Sequence, residues 1–199
     1  MQNFSPVQAM YSEKLVDLRP LDPDDMDNVM KHWNDLEMRQ YLGHALPFSR
    51  AREREILDEL SKQDPWKDGH MFLVIEDKKS QEFLGTVSLM NISRQNSNSE
   101  LGIAIHDPQN FGKGYGTDAT KVMPWAGFSI LGLESVFLYT FTQNERGHSA
   151  FKSAGFKQGG VRRRGVFTMG KFRDLVVMDI VKEEFFERYH PGVAVEDAG

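Results

Sequence analysis

The residues best placed to do chemistry in this chain lie between Glu100 and Thr117, in the run ELGIAIHDPQNFGKGYGT. Three glycines, Gly112, Gly114 and Gly116, alternate with Lys113 and Tyr115 ahead of a stretch, 117 to 131, that reads as a helix. Glycine admits backbone angles closed to other residues, so successive N–H groups can turn inward as an anion-binding nest. The helix N-terminus behind the loop adds unsatisfied donors and the positive end of a dipole. Such a pattern can grip a phosphate through the amides of Gly112 to Thr117, with Lys113 either adding charge or, as an equal reading, simply solvated. On spacing alone, a plain strand-to-helix turn is an equal reading. Two common phosphate motifs are absent. Gly170-Lys171 is followed by Phe172 rather than Ser or Thr, and G-x-G-x-G is not the dinucleotide spacing G-x-G-x-x-G.

The strand entering this loop carries the second candidate group. Parity puts Glu100, Gly102, Ala104 and His106 on one face and Leu101, Ile103 and Ile105 on the other. The second face is core. The first has a carboxylate and an imidazole at its ends and the two smallest side chains between them, an open floor roughly 20 Å long. Partial burial would raise the Glu100 pKa towards the range useful to a general base. An exposed glutamate at a strand start is the equal alternative. His106 is a candidate second proton carrier, with a backbone role preferred.

Around these residues the chain reads as alternating short elements. A strand over 14 to 19 precedes a helix that starts at Asp22-Pro23 and runs to about Asn34. A second helix spans Ser49 to about Lys62, and Pro65 and Gly69 mark its end. Strands follow at 71–76, 82–92 and 100–106, with the polar segment 93 to 99 as a hairpin loop. After the glycine loop and its helix come a strand over 135–142, a helix over 145–154 and a hairpin of 167–169 with 172–180 about Gly170. A last helical turn covers 183–189, and the residues beyond it read as frayed. Arg162-Arg163-Arg164 fits a solvated edge strand. Strands flanked by helices indicate a mixed α+β sheet.

Composition narrows the class. At 199 residues the chain suits one domain, 1–199, and 40% hydrophobic with 27% charged residues is ordinary globular content. No apolar run has membrane-spanning length, and the N-terminus lacks the order of a signal peptide, so a cytoplasmic protein is expected. The absence of cysteine excludes disulfides and a thiol nucleophile. Residues 22 to 64 hold eleven acidic and six basic side chains, which accounts for the whole net charge of −5. No basic patch of the kind that binds nucleic acid is present.

Through 82–182 the chain resembles the GNAT superfamily of acyl-CoA-dependent N-acetyltransferases. The family signature, Gln or Arg, two residues, Gly, one residue, Gly or Ala, falls on Phe111 to Gly116, with Phe111 departing at its first position. The aromatic there, with G-K-G-Y and Thr117-Asp118-Ala119, resembles the branch that acetylates ribosomal-protein N-termini (RimJ/RimL-like). Asn144-Glu145-Arg146 to Ala154-Gly155-Phe156 and the closing hairpin 165–178 are similar to two further family segments.

The resemblance implies a GNAT-like domain with a mostly antiparallel, splayed sheet of about seven strands. The N-terminal strand and acceptor-side helices would occupy 14–70, and the cofactor-binding core and hairpin 71–182. It implies acetyl-CoA as cofactor, held by Phe111 to Thr117, by backbone groups of Ala104, Ile105 and His106, and by Asn144 and Phe151. Glu100 corresponds to a family general base. The usual acid is missing, since Phe151 and Gly147 stand where hydroxyl residues are common. His148, within about 40° of Asn144 around the helix, is a substitute candidate, and water is another. No metal is expected.

The activity expected is acetyl transfer to a primary amine by direct attack in a ternary complex. A protein or peptide α-amine comes first and a polyamine second, the latter because the acidic segment would attract a polycation. A non-catalytic acyl-CoA sensor is the alternative from another class, and a plain nucleotide-binding domain a third. The expected partners are the amine substrate and, as an option, a second copy in a homodimer, with neither nucleic acid nor membrane.

Overall fold

The computed structural model describes residues 11–42 and 46–189. β1 (Tyr11–Ser12) and β2 (Val16–Pro20) come first, with Val16 and Leu18 fully buried at period two. Asp22 then caps a 3-10 turn over Pro23–Asp25, accepting the Asp24 N–H, while Asp25 accepts the Asp22 N–H in return. This capping box launches α1 (Met26–Trp33), followed by α2 (Leu36–Arg39) and α3 (Arg50–Leu60), the last capped by Ser49. α4 (Pro65–Asp68), capped by Asp64, ends at Gly69 with φ 75°.

The middle of the chain is a meander of β3 (Met71–Asp77), β4 (Phe83–Ser93) and β5 (Asn98–Ile105). α5 (Tyr115–Ser129) crosses over to β6 (Ser135–Phe141), and α6 (Glu145–Ser153) leads to the hairpin of β7 (Lys157–Thr168) and β8 (Lys171–Val181). α7 (Lys182–Tyr189) follows. The expected frayed tail lies outside the described residues, as does the N-terminal run read for a signal peptide. No helix among the described residues is long and apolar enough to cross a membrane.

All strands join one open sheet in the order β1-β2-β3-β4-β5-β6-β8-β7. Every pairing is antiparallel except β5 with β6, the pair joined by the α5 crossover. Seven strands are of ordinary length, as expected, and the two-residue β1 is added at one edge. Leu73, Ile75, Leu89, Leu101, Val136 and Leu138 pack with Met123 and Phe128 of α5 on one face. Val74 packs with Leu21, Met26, Val29 and Leu57 on the other, which seats α1 and α3.

β7 is far longer than the expected 167–169. Its glycines and arginines carry no alternating apolar signal, and its pairing with β8 defines it instead, through register shifts at Gln158/Gly160 and Arg162/Val166. The three arginines are exposed on this edge strand, as expected. The helix after the loop starts at Tyr115 rather than 117, because Gly114 itself serves as its cap.

The feature that matters for function is where β5 and β6 part. They pair only through Asn98↔Ser135, Ser99↔Val136 and Glu100↔Phe137. Beyond that, β5 stays with β4 as far as Gly85↔Ile105, while β6 stays with β8 as far as Phe141↔Leu175. A wedge opens between the two halves of the sheet. Gly85 lets β4 approach β5 here, since a Cβ on it would sit 2.0 Å from the Ala104 carbonyl oxygen. Gly85→Ala should therefore destabilise the fold by about 3 kcal/mol in urea denaturation. A loss under about 1 kcal/mol would mean that the two strands separate here easily.

Candidate active site

The loop after β5 begins with a 3-10 turn over Pro108–Asn110, capped by Asp107 through the Gln109 N–H. Gly112 and Gly114 then adopt φ of 75° and 94°, in the left-handed region that favours glycine. Gly116 differs, being an ordinary helical residue, and a Cβ there would meet Ile105 only at van der Waals distance. The first α5 bond runs from the Asp118 N–H to the Gly114 carbonyl at 3.0 Å. The N–H groups of Tyr115, Gly116 and Thr117 thus precede the ladder and have no intrahelical acceptor.

Two side chains pin this helix end. The Tyr115 hydroxyl donates to Asp77 at 2.7 Å, and Asp118 accepts the Leu15 N–H at 2.7 Å. The Ser80 backbone N–H and then the Tyr115 hydroxyl hold the Asp77 carboxyl at about 2. Tyr115 is accordingly an anchor by its side chain. Lys113 donates to Asn110 at 2.8 Å, and neither Lys113 nor Tyr115 lines the cleft.

The wedge is a cavity of about 550 Å³. Glu100, Gly102 and Ala104 form its floor, Gly112, Gly114, Gly116 and Thr117 its mouth, and Asn144 and Phe151 the α6 wall. These expected positions come together. Asn144 Oδ1 accepts the Gly147 N–H at 3.0 Å, and its Nδ2 donates to Thr140 at 3.2 Å. A Cβ at Gly147 would lie 2.4 Å from Asn144 Nδ2, so glycine there lets Asn144 fold back as the helix cap. Phe151 both packs against Phe156 and lines the cleft.

The backbone roles expected of Ala104 and His106 need correction. The His106 N–H donates to the Leu84 carbonyl at 2.9 Å, so it is spent on β4. Strand groups alternate sides, which turns Ala104, opposite Thr86, towards β4 as well. The groups left facing the wedge belong to Ile103 and Ile105. Of the expected three, Ile105 alone is on the open side, and Ile103 was missed.

Neither expected histidine serves the cleft. The His106 ring is 2% exposed, stacked on Trp33 at 5.1 Å and edge-on to Phe83 at 5.2 Å, inside the α1 layer. Burial lowers its pKa to about 4, against a smaller opposing effect of the Val29 backbone. It packs within the α1 layer and is absent from the cleft lining. His148 turns its Nε2 to the Phe141 carbonyl at 3.0 Å, and its side chain lies outside the cleft lining. A carbonyl only accepts, so that nitrogen is a donor committed to the end of β6.

Glu100 does face the cleft. It is half-buried, and burial raises its pKa against the opposing hydrogen bond of Asn91. Its β6 partner is Phe137, so Tyr139 stands on the same face two residues further, where the strands have parted. Tyr139 was missed, though buried Val136, Leu138 and Thr140 alternating with Phe137, Tyr139 and Phe141 make the aromatic row legible. Met38, Tyr41 and Met90 add an apolar wall. Arg146 lines the mouth with its guanidinium 3.8 Å from the Phe111 ring centroid. Four of the eleven carboxylates in the acidic segment are engaged elsewhere or buried: Asp25 pairs with Arg19, Asp27 with Arg50 and Asp35 with His32, and Glu53 is buried.

Comparison with known proteins gives a consistent picture. The family model described as acetyltransferase (GNAT) domain matches residues 16–157. An uncharacterized N-acetyltransferase, p20 of Bacillus licheniformis, is 25% identical over 90% of this chain and 99% of its own. The spermidine N(1)-acetyltransferase of Escherichia coli K12 is 28% identical over 92% of this chain and 95% of its own. Among solved structures, spermidine N-acetyltransferase from Vibrio cholerae in complex with CoA and spermine superposes with a TM-score of 0.76. It shares 21% identity and covers 86% of this chain and 98% of its own, a likeness of fold.

The buried imidazole has a measurable consequence. Its folded pKa of about 4 lies below the 6.5 of a free histidine. Unfolded chains take up a proton that the folded state refuses, so this contribution is complete above pH 6.5 and is lost as pH falls towards 4. The slope is about 1.4 kcal/mol per pH unit inside that window. Urea midpoints at pH 7, 6 and 5 should fall for the wild type and fall less for His106→Gln. Equal slopes in both proteins would assign the dependence to another group.

Proposed function

The chain belongs to the acetyltransferase (GNAT) family and is an acetyl-CoA-dependent N-acetyltransferase; on that premise we propose that its acceptor is the α-amine of a peptide or protein N-terminus, with Glu100 as general base. The observation that carries this reading is Glu100 on the cleft floor, the one carboxylate among the described lining residues, with the apolar Met38, Tyr41 and Met90 on one wall. One carboxylate matches one ammonium, and Met38, Tyr41 and Met90 match the apolar flank of a first side chain. A polyamine would bring further charges, whereas Glu100 is the one carboxylate among the described residues that line the cleft.

The residues present fit the cofactor. Free N–H groups of Tyr115, Gly116 and Thr117, with the left-handed Gly112 and Gly114, suit a diphosphate. Unpaired strand groups of Ile103 and Ile105 suit an extended amide-bearing arm. Arg146 adds positive charge at the mouth. When bound, acetyl-CoA supplies an acyl thioester. The chain has no cysteine to carry the acyl group, which supports direct attack by the amine.

Glu100 would take the proton that an ammonium must lose before it can attack, and its raised pKa suits that task. The opposite need is a proton donor. Phe151 and Gly147 have none to give, and His148 is committed to a carbonyl. Tyr139 carries its hydroxyl on the cleft side of β6 and is assigned this role.

A polyamine acceptor is the second reading, favoured by full-length similarity to a spermidine acetyltransferase. Mass spectrometry of parallel reactions with Ala- or Ser-terminated peptides and with spermidine separates the two. Acetylated peptide with spermidine untouched supports the first, the reverse supports the second, and no product over a broad amine panel points to a sensor. With the preferred acceptor, Glu100→Gln should lower kcat/KM by about 100-fold or more while cofactor affinity is kept. Tyr139→Phe should cost on the order of 10-fold. An active Glu100→Gln enzyme would remove Glu100 from the mechanism.

A further inference from the structure

A second cavity, about 270 Å³, lies where the β7–β8 hairpin meets α2. Thr168 and Arg173 come from the hairpin, Leu36 from α2, Gln40 from the cap that ends it, and Gln143 from the segment after β6. Tyr41 lines this cavity and the catalytic cleft alike, so the two spaces adjoin at the acceptor end.

Two of its polar groups are buried without a hydrogen-bond partner, Thr168 Oγ1 and Arg173 Nε. Thr168 is 5% exposed. A guanidinium is charged at every pH of interest, yet no carboxylate of the described residues lines the cavity. The neighbouring Asp174 is engaged on the Arg164 N–H at 2.7 Å. Gln40 and Gln143 are tied to the Glu37 carbonyl and the Thr142 hydroxyl. A water molecule could satisfy the hydroxyl, but it would not neutralise the guanidinium. The unpartnered Nε–H of Arg173 beside a hydroxyl matches a carboxylate, whose two oxygens can accept from a guanidinium edge and from the Thr168 hydroxyl.

We propose that Arg173 and Thr168 bind a carboxylate of the acceptor, making this enzyme selective for peptides with an acidic residue next to the acetylated terminus. The inference rests on the peptide reading above and narrows it. It also names Arg173 as the residue that discriminates against polyamines, whose charges it repels.

The test compares amidated peptides that begin Ser-Glu and Ser-Gln. Wild-type kcat/KM should favour the acidic peptide by about 10-fold or more, as expected for one charge-assisted pair. In Arg173→Leu the ratio should fall to near one, and in Arg173→Lys it should lie between. A wild-type ratio near one, or an unchanged ratio in Arg173→Leu, overturns the proposal. A readout independent of turnover is the Arg173 Nε–H resonance on titration with succinate. A saturable shift, abolished in Thr168→Val with the fold intact by circular dichroism, supports the site, and no shift overturns it. Spermidine acetylated with peptides untouched would refute the peptide reading itself, and the succinate titration would still decide whether Arg173 and Thr168 bind a carboxylate.

Discussion

The whole arrangement depends on one incomplete strand pairing. β5 and β6 are adjacent and parallel because α5 joins them, yet they pair through only three residues at one end. Each remains paired with its outer neighbour, so the sheet survives the break as two halves hinged at Glu100 and Phe137. Unpaired backbone groups cannot be left in a dry interior without loss of free energy. Here the break faces a cleft, where a ligand can complete the ladder. The same break puts the base candidate at the apex of the wedge and Tyr139 on its far side. The proposed chemistry is therefore concentrated where the backbone is least satisfied.

A site built on a gap needs rigid surroundings, and the polar network provides them. Asp118 holds the start of α5 to β2 through the Leu15 amide, and Tyr115 holds it to the β3–β4 turn through Asp77. With its N-terminus fixed at two points, α5 presents its free amides at a constant place relative to β5. On the other wall, the Asn144 cap and the His148 contact tie α6 to the end of β6. His106 closes the α1 layer behind the floor, where a neutral imidazole fits between two aromatic rings. The two histidines expected as candidate proton carriers are thus part of the frame around the cleft.

Local patterns in the chain made much of this legible. Parity along residues 100–106 placed Glu100, Gly102 and Ala104 on the floor but also His106, which is buried under α1 instead, and the glycine loop marked the helix start to within two residues. Roles that depend on partners distant in sequence were not legible. Parity assigns side chains, but only the β4 pairing decides which amides face the wedge, and that moved the assignment from Ala104 and His106 to Ile103. Angular position on a helix placed His148 near Asn144, but could not anticipate the Phe141 carbonyl that engages its ring. β7 has no apolar alternation and is a strand because β8 pairs with it. The approach of Arg173 to Tyr41 is likewise set by the fold of the sheet, across more than a hundred residues of chain.

The central claim is that the cofactor completes the broken ladder and caps the free end of α5. Amide hydrogen exchange, followed residue by residue with and without CoA, tests it most directly. New protection is expected at Ile103, Ile105, Tyr115, Gly116 and Thr117. No change is expected at Ala104 and His106, which already face β4. Protection that appears at Ala104 and His106, or none at the wedge and helix end under saturating CoA, would contradict it.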